Sequence, residues 1–323
     1  MVIEKILKQL TPGRIKEERE KIQNIKLPPE IQKWVKEYEK VGDRPEFLWK
    51  WLYTGDEIII HSFGFTKKYY HQILETTFLL NVFITLLDDI SESENNDSFI
   101  EEALKIPPRQ CSANLSLLKI KERKYLLFMK KIWDEIDKKI KKYPYYKKNK
   151  EIFDYDIAQF LNNARYFSLL SKKPYAINEL EYWMYSHHNM QVCITFDLYL
   201  MCCFSQKSIH ELGKCREIVL CLQEMARIGN CLGTWKREVS QKDFTSSGVF
   251  IYIKKPIFTN INKLKGNLIN NKNSFEKKLF DRWEENCNKV SKLAKGVSQI
   301  NSKKLLLSLE KITFYHLAGR GEI

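Results

Sequence analysis

Apolar and polar residues along this chain recur with the spacing of amphipathic helices. Apolar positions return every three to four residues within long segments, and short breaks such as Leu27-Pro28-Pro29 and Ile106-Pro107-Pro108 separate these segments. This period is typical of helices that bury one face. The 12 glycines and 9 prolines are few for 323 residues, which favours helices over a many-stranded β architecture. We therefore predict an all-α fold of roughly ten helices.

The periodic segments give the predicted helices. Residues 47–53 are rich in aromatic side chains, and Thr54-Gly55-Asp56 after them is interpreted as a turn or cap. No internal repeat is visible and no linker of the kind that separates domains interrupts the chain, so we predict one domain over residues 1–323. Helices are predicted over 30–41, 67–87, 98–104, 116–142, 150–170, 177–204 (with a kink near His187-His188), 208–239, 261–268, 272–298 and 302–317.

One predicted helix ends in acidic residues. The stretch from Thr77 to Glu92 is a long apolar run that closes on Asp88 and Asp89, with Glu92 one turn later. Residues 69–104 carry eight acids and no Lys or Arg, although the whole chain has a formal charge of +14. Carboxylates at a helix C-terminus face the unfavourable end of its dipole, and beside apolar surface they cost more unless cations compensate. A bound metal ion is the simplest partner, so Asp88, Asp89 and Glu92 are candidate catalytic residues.

A second polar set lies on a later helix. Asn230, Thr234 and Glu238 are spaced at i, i+4 and i+8, which places them on one helix face within an arc of about 80°. Amide, hydroxyl and carboxylate oxygens are hard ligands suited to Mg²⁺. Arg237 beside them can donate to a phosphate in bidentate fashion. Alone, either motif is more often a solvated stripe or an acidic loop; together, on apolar helices, they indicate a metal site.

These two motifs resemble those of the microbial class I terpene synthases. The stretch Asp88-Asp89-Ile90-Ser91-Glu92 matches the family's aspartate-rich motif. Asn230, Thr234 and Glu238, with Arg237 before the glutamate, match its second motif. The resemblance in motif order, spacing, length and helical character extends over nearly the whole chain. It implies a single-domain helical barrel around an apolar cavity, where a trinuclear Mg²⁺ cluster is held by Asp88, with Glu92, on one side and by the second motif on the other.

The resemblance implies a cyclase that ionises farnesyl or geranylgeranyl diphosphate and cyclises the carbocation to a hydrocarbon or alcohol, with release of diphosphate. Ionisation needs metal ions and Arg or Lys at the leaving group, and the carbocation needs a dry cavity with π faces. The candidate substrate-binding residues are Arg237, Arg165, His187, Lys242, Tyr315 and Arg320, and the candidate cavity-lining aromatics are Phe78, Phe83, Tyr166, Trp183 and Phe196.

The chain departs from the family pattern at three places. Cys231 stands where the family usually has a second acid. The family's diphosphate-sensing arginine would fall within residues 184–188, which contain paired histidines and no arginine, so either a histidine substitutes or Arg165 reaches the diphosphate. The family's C-terminal Arg-Tyr pair would fall at Phe314-Tyr315, which leaves Arg320 as a candidate replacement for its arginine.

Other classes of protein are compatible with part of the sequence. The positive charge suits a nucleic-acid or acidic-membrane partner, or a lysine-rich solvated surface, which we favour. A chain-elongating prenyltransferase of the same architecture would need a second aspartate-rich motif. A basic helical nucleic-acid-binding protein lacks support from any recognisable motif. Without an apolar leader or a bilayer-length apolar run, we expect a cytoplasmic monomer or homodimer with reduced core cysteines, no transmembrane segment and no nucleic-acid partner.

Overall fold

The computed structural model describes residues 2–91, 97–107, 113–241, 243, 245–252 and 261–319. All regular secondary structure within these ranges is helical, which confirms the predicted all-α class. No helix in the described part of the chain is long and apolar enough to cross a membrane.

The helices follow one another with short connections. Single 3₁₀ turns at Leu115–Leu117, Pro174–Ala176, Ser186–Met190 and Gln206–Glu211 join some of them. The α-helices are α1 (Val2–Gln9), α2 (Pro12–Gln23), α3 (Pro29–Tyr38), α4 (Glu46–Phe63), α5 (Tyr70–Ser91), α6 (Asp97–Ala103), α7 (Ile120–Ile140), α8 (Tyr146–Lys172), α9 (Glu179–Tyr185), α10 (Val192–Cys202), α11 (Leu212–Ser240), α12 (Val249–Tyr252), α13 (Ile261–Leu293) and α14 (Ser302–Ala318).

Helix α5 lies at the centre of the fold, as its apolar sequence predicts. Most of its residues between Ile73 and Ser91 are buried, and they pack against α4, α7 and α8. The helix continues through Asp88 and Asp89 to Ser91, whose hydroxyl donates to the Asp88 carbonyl at 3.0 Å. The two aspartates therefore lie on the last full turn of a helix that is largely buried.

Helix α11 is held unusually close to α14. A Cβ atom on Gly233 would lie 2.7 Å from the backbone oxygen of His316, closer than non-bonded carbon and oxygen atoms approach. Gly229, one turn earlier, would place a Cβ atom 3.1 Å from the Thr313 hydroxyl. The two glycines let the backbones of the two helices approach closely, and this contact fixes how the face of α11 that carries Asn230 is oriented.

Two boundaries predicted from the sequence are wrong. Thr54-Gly55-Asp56 is part of α4, and the Thr54 hydroxyl donates to the Lys50 carbonyl at 2.8 Å, which satisfies it inside the helix. The segments 261–268 and 272–298 form one helix, α13, which ends at Leu293. The predicted kink near the paired histidines is confirmed: α9 gives way to a 3₁₀ turn, and α10 starts after Gln191.

The surface and the thiols agree with the expectations from composition. Exposed lysines pair with acids one turn away, as Lys130 does with Asp134 at 2.8 Å and Lys277 with Asp281 at 2.6 Å. Such pairs are typical of solvated helix faces.

The cysteines in the described ranges are all free thiols, most of them buried, whereas Cys111 lies outside those ranges.

Candidate active site

Helices α4, α5, α10, α11 and α14 line a cavity of about 230 Å³ that opens to the surface. Asp88 of the first motif and Asn230, Thr234 and Glu238 of the second motif all line it. Two sequence motifs that lie 142 residues apart, from Asp88 to Asn230, therefore share one cavity. Much of the remaining wall is aliphatic and includes Leu48, Leu52, Ile59, Ile84, Leu309 and Ile312.

Asp88 presents a carboxyl group to the cavity in an environment that disfavours its charge. Burial raises its pKa to about 7, although Arg227 acts in the opposite direction. Its Oδ2 atom accepts a hydrogen bond from Asn189 Nδ2 at 3.3 Å. A cation placed beside this carboxyl would supply the favourable interaction that burial removes.

Asp89 has a different role from its neighbour. Its Oδ1 atom accepts from Arg44 Nε at 3.0 Å, and its Oδ2 atom accepts from the Tyr125 hydroxyl at 3.2 Å. It lines a separate surface groove together with Tyr38 and Tyr125. The structure thus brings Asp88, and not Asp89, to the cavity with the second motif. Glu92, the third acid of the motif, lies outside the described residues.

The polar face of α11 retains free acceptor capacity. Thr234 Oγ1 donates to the Asn230 backbone oxygen at 3.0 Å, which leaves its own lone pairs available. Glu238 is buried, burial raises its pKa, and its Oε2 atom has no hydrogen-bond partner among the described residues. These hard oxygens, with a buried carboxylate oxygen that lacks a donor, fit a Mg²⁺ ion.

In the described ranges, no group of three or more His, Cys, Asp or Glu side chains could hold a metal ion. The set proposed here includes only two such residues, Asp88 and Glu238, and depends on amide and hydroxyl oxygens for the rest. Such oxygens are ordinary ligands for Mg²⁺, which also keeps several waters in its shell.

Arg227 is the functional candidate that the sequence analysis missed. It is 5% exposed and lines the cavity one turn before Asn230. Its Nη1 atom donates to Asn230 Oδ1 at 3.1 Å, and its Nη2 atom donates to the Tyr182 hydroxyl at 3.3 Å and to the Ser246 carbonyl. The guanidinium carbon also lies 5.3 Å from the Phe167 ring centroid. No local pattern marks Arg227 in the sequence, because its partners Tyr182 and Ser246 lie 45 and 19 residues away along the chain.

Two further arginines reach the same cavity. Arg237 is partly buried, and its Nε atom has no hydrogen-bond partner among the described residues. Arg44 lines both the cavity and the neighbouring groove, and it is paired with Asp89. With Arg227, these side chains give the cavity a concentration of guanidinium groups suited to a multiply charged anion.

Other predicted anion-binding residues lie elsewhere. Arg165 is exposed on α8, where its Nη1 atom contacts Asn162 Oδ1 at 3.5 Å. His187 Nδ1 lies 2.8 Å from the Trp183 carbonyl, and burial lowers the pKa of His187 to about 4, so the ring is neutral near pH 7. Tyr315 lines a groove between α14 and the N-terminal helices. Lys242 and Arg320 lie outside the described residues.

The predicted aromatic liners pack into the core around the cavity. Phe78, Phe83 and Phe196 are at most 1% exposed. Trp183 lies beneath Arg282, whose guanidinium carbon is 4.3 Å from the ring centroid, and Tyr166 packs on Tyr185 at 5.3 Å. Among the described residues the rings that line the cavity are those of Trp51 and His316, which contact each other edge to face at 4.6 Å.

Comparisons with known proteins identify no relative. No family model, curated protein or solved structure matches this chain. A functional argument therefore depends on the cavity itself, which is lined by an acid from α5, an oxygen-rich face of α11, guanidinium groups and aliphatic side chains.

Proposed function

We propose that this protein is a Mg²⁺-dependent terpene cyclase of class I type. It would ionise a linear isoprenyl diphosphate, farnesyl or geranylgeranyl diphosphate, and cyclise the carbocation with release of diphosphate. The observation that supports this proposal most is that Asp88 and the Asn230, Thr234 and Glu238 face line one cavity. An apolar chain and a charged headgroup on one ligand match a cavity with one aliphatic region and one ionic region.

The ionic end suits the diphosphate and its metal ions. Bound Mg²⁺ supplies the charge that stabilises a departing diphosphate. Asp88, Asn230, Thr234 and Glu238, which all line the cavity, would hold the ions. Glu92, a further ligand by the family resemblance, stays a prediction.

Arg227 would bind diphosphate oxygens from a fixed position. Its contacts with Asn230, Tyr182 and Ser246 hold the guanidinium in place before any ligand arrives. Such preorganisation avoids much of the reorganisation that would otherwise oppose stabilisation of the leaving group. We propose that Arg227 takes the place of the diphosphate-sensing arginine that residues 184–188 lack, and that Arg237 assists it.

The aliphatic wall would hold and fold the prenyl chain. Leu52, Ile59, Ile84, Leu309 and Ile312 present side chains without nucleophilic groups. A carbocation formed beside them is kept from bulk water, which allows intramolecular attack by its own double bonds. The shape of this wall sets the ring pattern of the product.

The test is turnover by purified protein with geranyl, farnesyl and geranylgeranyl diphosphate and Mg²⁺. Released diphosphate is measured together with extractable products by gas chromatography and mass spectrometry. We expect Asp88→Asn and Glu238→Gln to lower turnover at least about 100-fold, because each removes charge from the metal site. Asp154→Asn, which changes an exposed acid paired with Lys150, is the matched control and should retain full turnover. Folded wild-type protein that releases no diphosphate from any of the three substrates would refute the proposal.

A further inference from the structure

The cavity is also lined by polar side chains that belong to neither motif. Asp56 on α4, Asn81 on α5 and Gln191 before α10 all line the cavity. Asp56 is 6% exposed and Gln191 is 4% exposed. A cavity wall that only contacts a hydrocarbon chain needs no carboxyl or amide groups. Polar groups at such a wall are unfavourable unless they are paired by hydrogen bonds.

The donors of this group are paired with protein atoms. Asn81 Nδ2 donates to Asp56 Oδ1 at 2.7 Å. Gln191 Nε2 donates to the Thr77 carbonyl at 2.8 Å. Thr77 and Asn81 lie four residues apart on α5, about 6 Å along the helix axis, so the Gln191 amide and the Asp56 carboxyl are anchored to consecutive turns of one helix.

The remaining oxygens of the group are not paired. Asp56 Oδ2 and Gln191 Oε1 are buried and have no hydrogen-bond partner among the described residues. Gln191 also adopts a φ of 61°, in the left-handed region that glutamine rarely occupies. Backbone strain of this kind persists only where surrounding structure imposes it, and it concentrates at functional sites. Both oxygens belong to residues that line the same cavity, and a ligand with hydrogen-bond donors would supply the partners that they lack.

We propose that Asp56 and Gln191 hold one water molecule that captures the carbocation, so that the product of this enzyme is an alcohol. This inference rests on the proposed function. In the step, a lone pair of the water oxygen forms a C–O bond to the cationic carbon. The resulting oxonium ion loses one proton to the diphosphate that ionisation released, and nothing is oxidised or reduced.

The arrangement orients such a water for attack. Gln191 Oε1 accepts one hydrogen of the water, which keeps that hydrogen at the wall. The Asp56 carboxyl binds the same water in either protonation state: ionised it accepts a hydrogen, and protonated it donates to one lone pair. In both cases a lone pair is left to face the cavity. Burial raises the pKa of Asp56 well above its usual range, and Asn81 acts in the opposite direction.

The aliphatic neighbours of Asp56 and Asn81 restrict the capture of the carbocation by water to this part of the cavity wall. Ile59 and Ile84 lie on the same helices as Asp56 and Asn81 and line the same cavity. A single held water, unlike bulk water, reacts with the cation only when its carbon reaches this part of the wall. The reaction can therefore complete its ring closures before it is quenched.

The first experiment analyses the products of the wild-type protein in H₂¹⁸O. An alcohol that carries the label, with one diphosphate released for each alcohol, is the expected result. Diphosphate release that yields only unlabelled hydrocarbons would overturn this inference and leave the proposed function intact. If folded protein releases no diphosphate, the proposed function and this inference fail together.

The second experiment identifies the residues responsible. Asp56→Leu and Gln191→Met each remove one of the unpaired oxygens, and we expect each to lower the ratio of alcohol to hydrocarbon about tenfold. Thr76→Val is the matched control: Thr76 is buried on α5, but its hydroxyl contacts Tyr143 at 2.8 Å, away from the cavity, so the ratio should not change. An unchanged ratio in both cavity variants would overturn the assignment. The label in the wild-type product decides the question even if one variant does not fold.

Discussion

The contact between Gly233 and α14 leads to a prediction about stability that needs no assumption about function. Replacing Gly233 with alanine adds a Cβ atom 2.7 Å from the His316 backbone oxygen and 3.2 Å from its carbonyl carbon. The obstructing atoms are backbone, so they cannot rotate away as a flexible side chain would. Relief requires that α11 and α14 separate by several tenths of an ångström.

The magnitude follows from two opposing effects. Alanine in a helix interior is favoured over glycine by about 1 kcal/mol. Overpacking a well-filled interface costs typically about 1–3 kcal/mol, and a backbone obstruction lies at the upper end. Gly233→Ala should therefore destabilise the protein by about 1–2 kcal/mol. Gly55→Ala is the matched control, because Gly55 lies within α4 and nothing is within 4 Å of an added Cβ. That variant should be stabilised by up to about 1 kcal/mol.

Thermal unfolding of the two variants and the wild type measures the difference. We expect the melting temperature of Gly233→Ala to fall below that of Gly55→Ala by about 2–4 °C, because in a chain of this length 1 kcal/mol corresponds to about 1.5 °C. Two variants with equal melting temperatures would refute the close approach of α11 and α14. Because the same contact orients Asn230 and Thr234, we also expect Gly233→Ala to bind Mg²⁺ and substrate less well.

Two further predictions concern buried charge. Arg216 donates to both Asp156 oxygens at 2.8 Å and lies 3.6 Å from Asp197, so Arg216→Met should lower the free energy of unfolding in urea by about 3–5 kcal/mol. The control Lys277→Met breaks an exposed pair and should change that free energy by less than about 1 kcal/mol. Equal effects of the two substitutions would contradict the burial of the Arg216 cluster. Burial, with a smaller contribution from Arg227, lowers the pKa of His316 to about 3. A histidine in the unfolded chain titrates near 6.5, so below about pH 6.5 the unfolded chain binds more protons than the folded protein, and the folded protein loses stability. Wild-type protein should lose about 2 kcal/mol more stability between pH 7 and pH 5 than His316→Gln, and parallel profiles would show that His316 is not buried as a neutral ring.

The sequence predicts the helices well where the apolar periodicity extends over many residues and where helix-breaking residues mark the ends. Helix α5 was predicted over 67–87 and is found at Tyr70–Ser91. Gly55 is predicted to be part of a turn but lies inside α4. A glycine weakens a helix without breaking it, and buried residues on both sides of Gly55 hold the helix in place. Local signals therefore mislead where tertiary packing outweighs propensity.

In the candidate site, some residues could be predicted from sequence spacing and others could not. The face formed by Asn230, Thr234 and Glu238 could be predicted from spacing alone, because one helix carries all three. The lining aromatics could not be predicted: α5 is apolar on nearly every side, so its sequence does not tell which side faces the cavity, and Phe78 and Phe83 face the core. Arg227 and Gln191 depend on contacts across the fold that no local pattern contains.

The buried acids of the cavity are easier to understand as parts of a binding site than as parts of a stable fold. Glu238 Oε2 has no donor among the described residues, and burial raises the pKa of both Glu238 and Asp88. A raised carboxyl pKa means that the ionised form destabilises the free protein near neutral pH. Asn or Gln at these positions should therefore leave the melting temperature unchanged or raise it while turnover is lost. Residues that only supported the fold would show the opposite pattern, so the sign of the stability change separates the two roles.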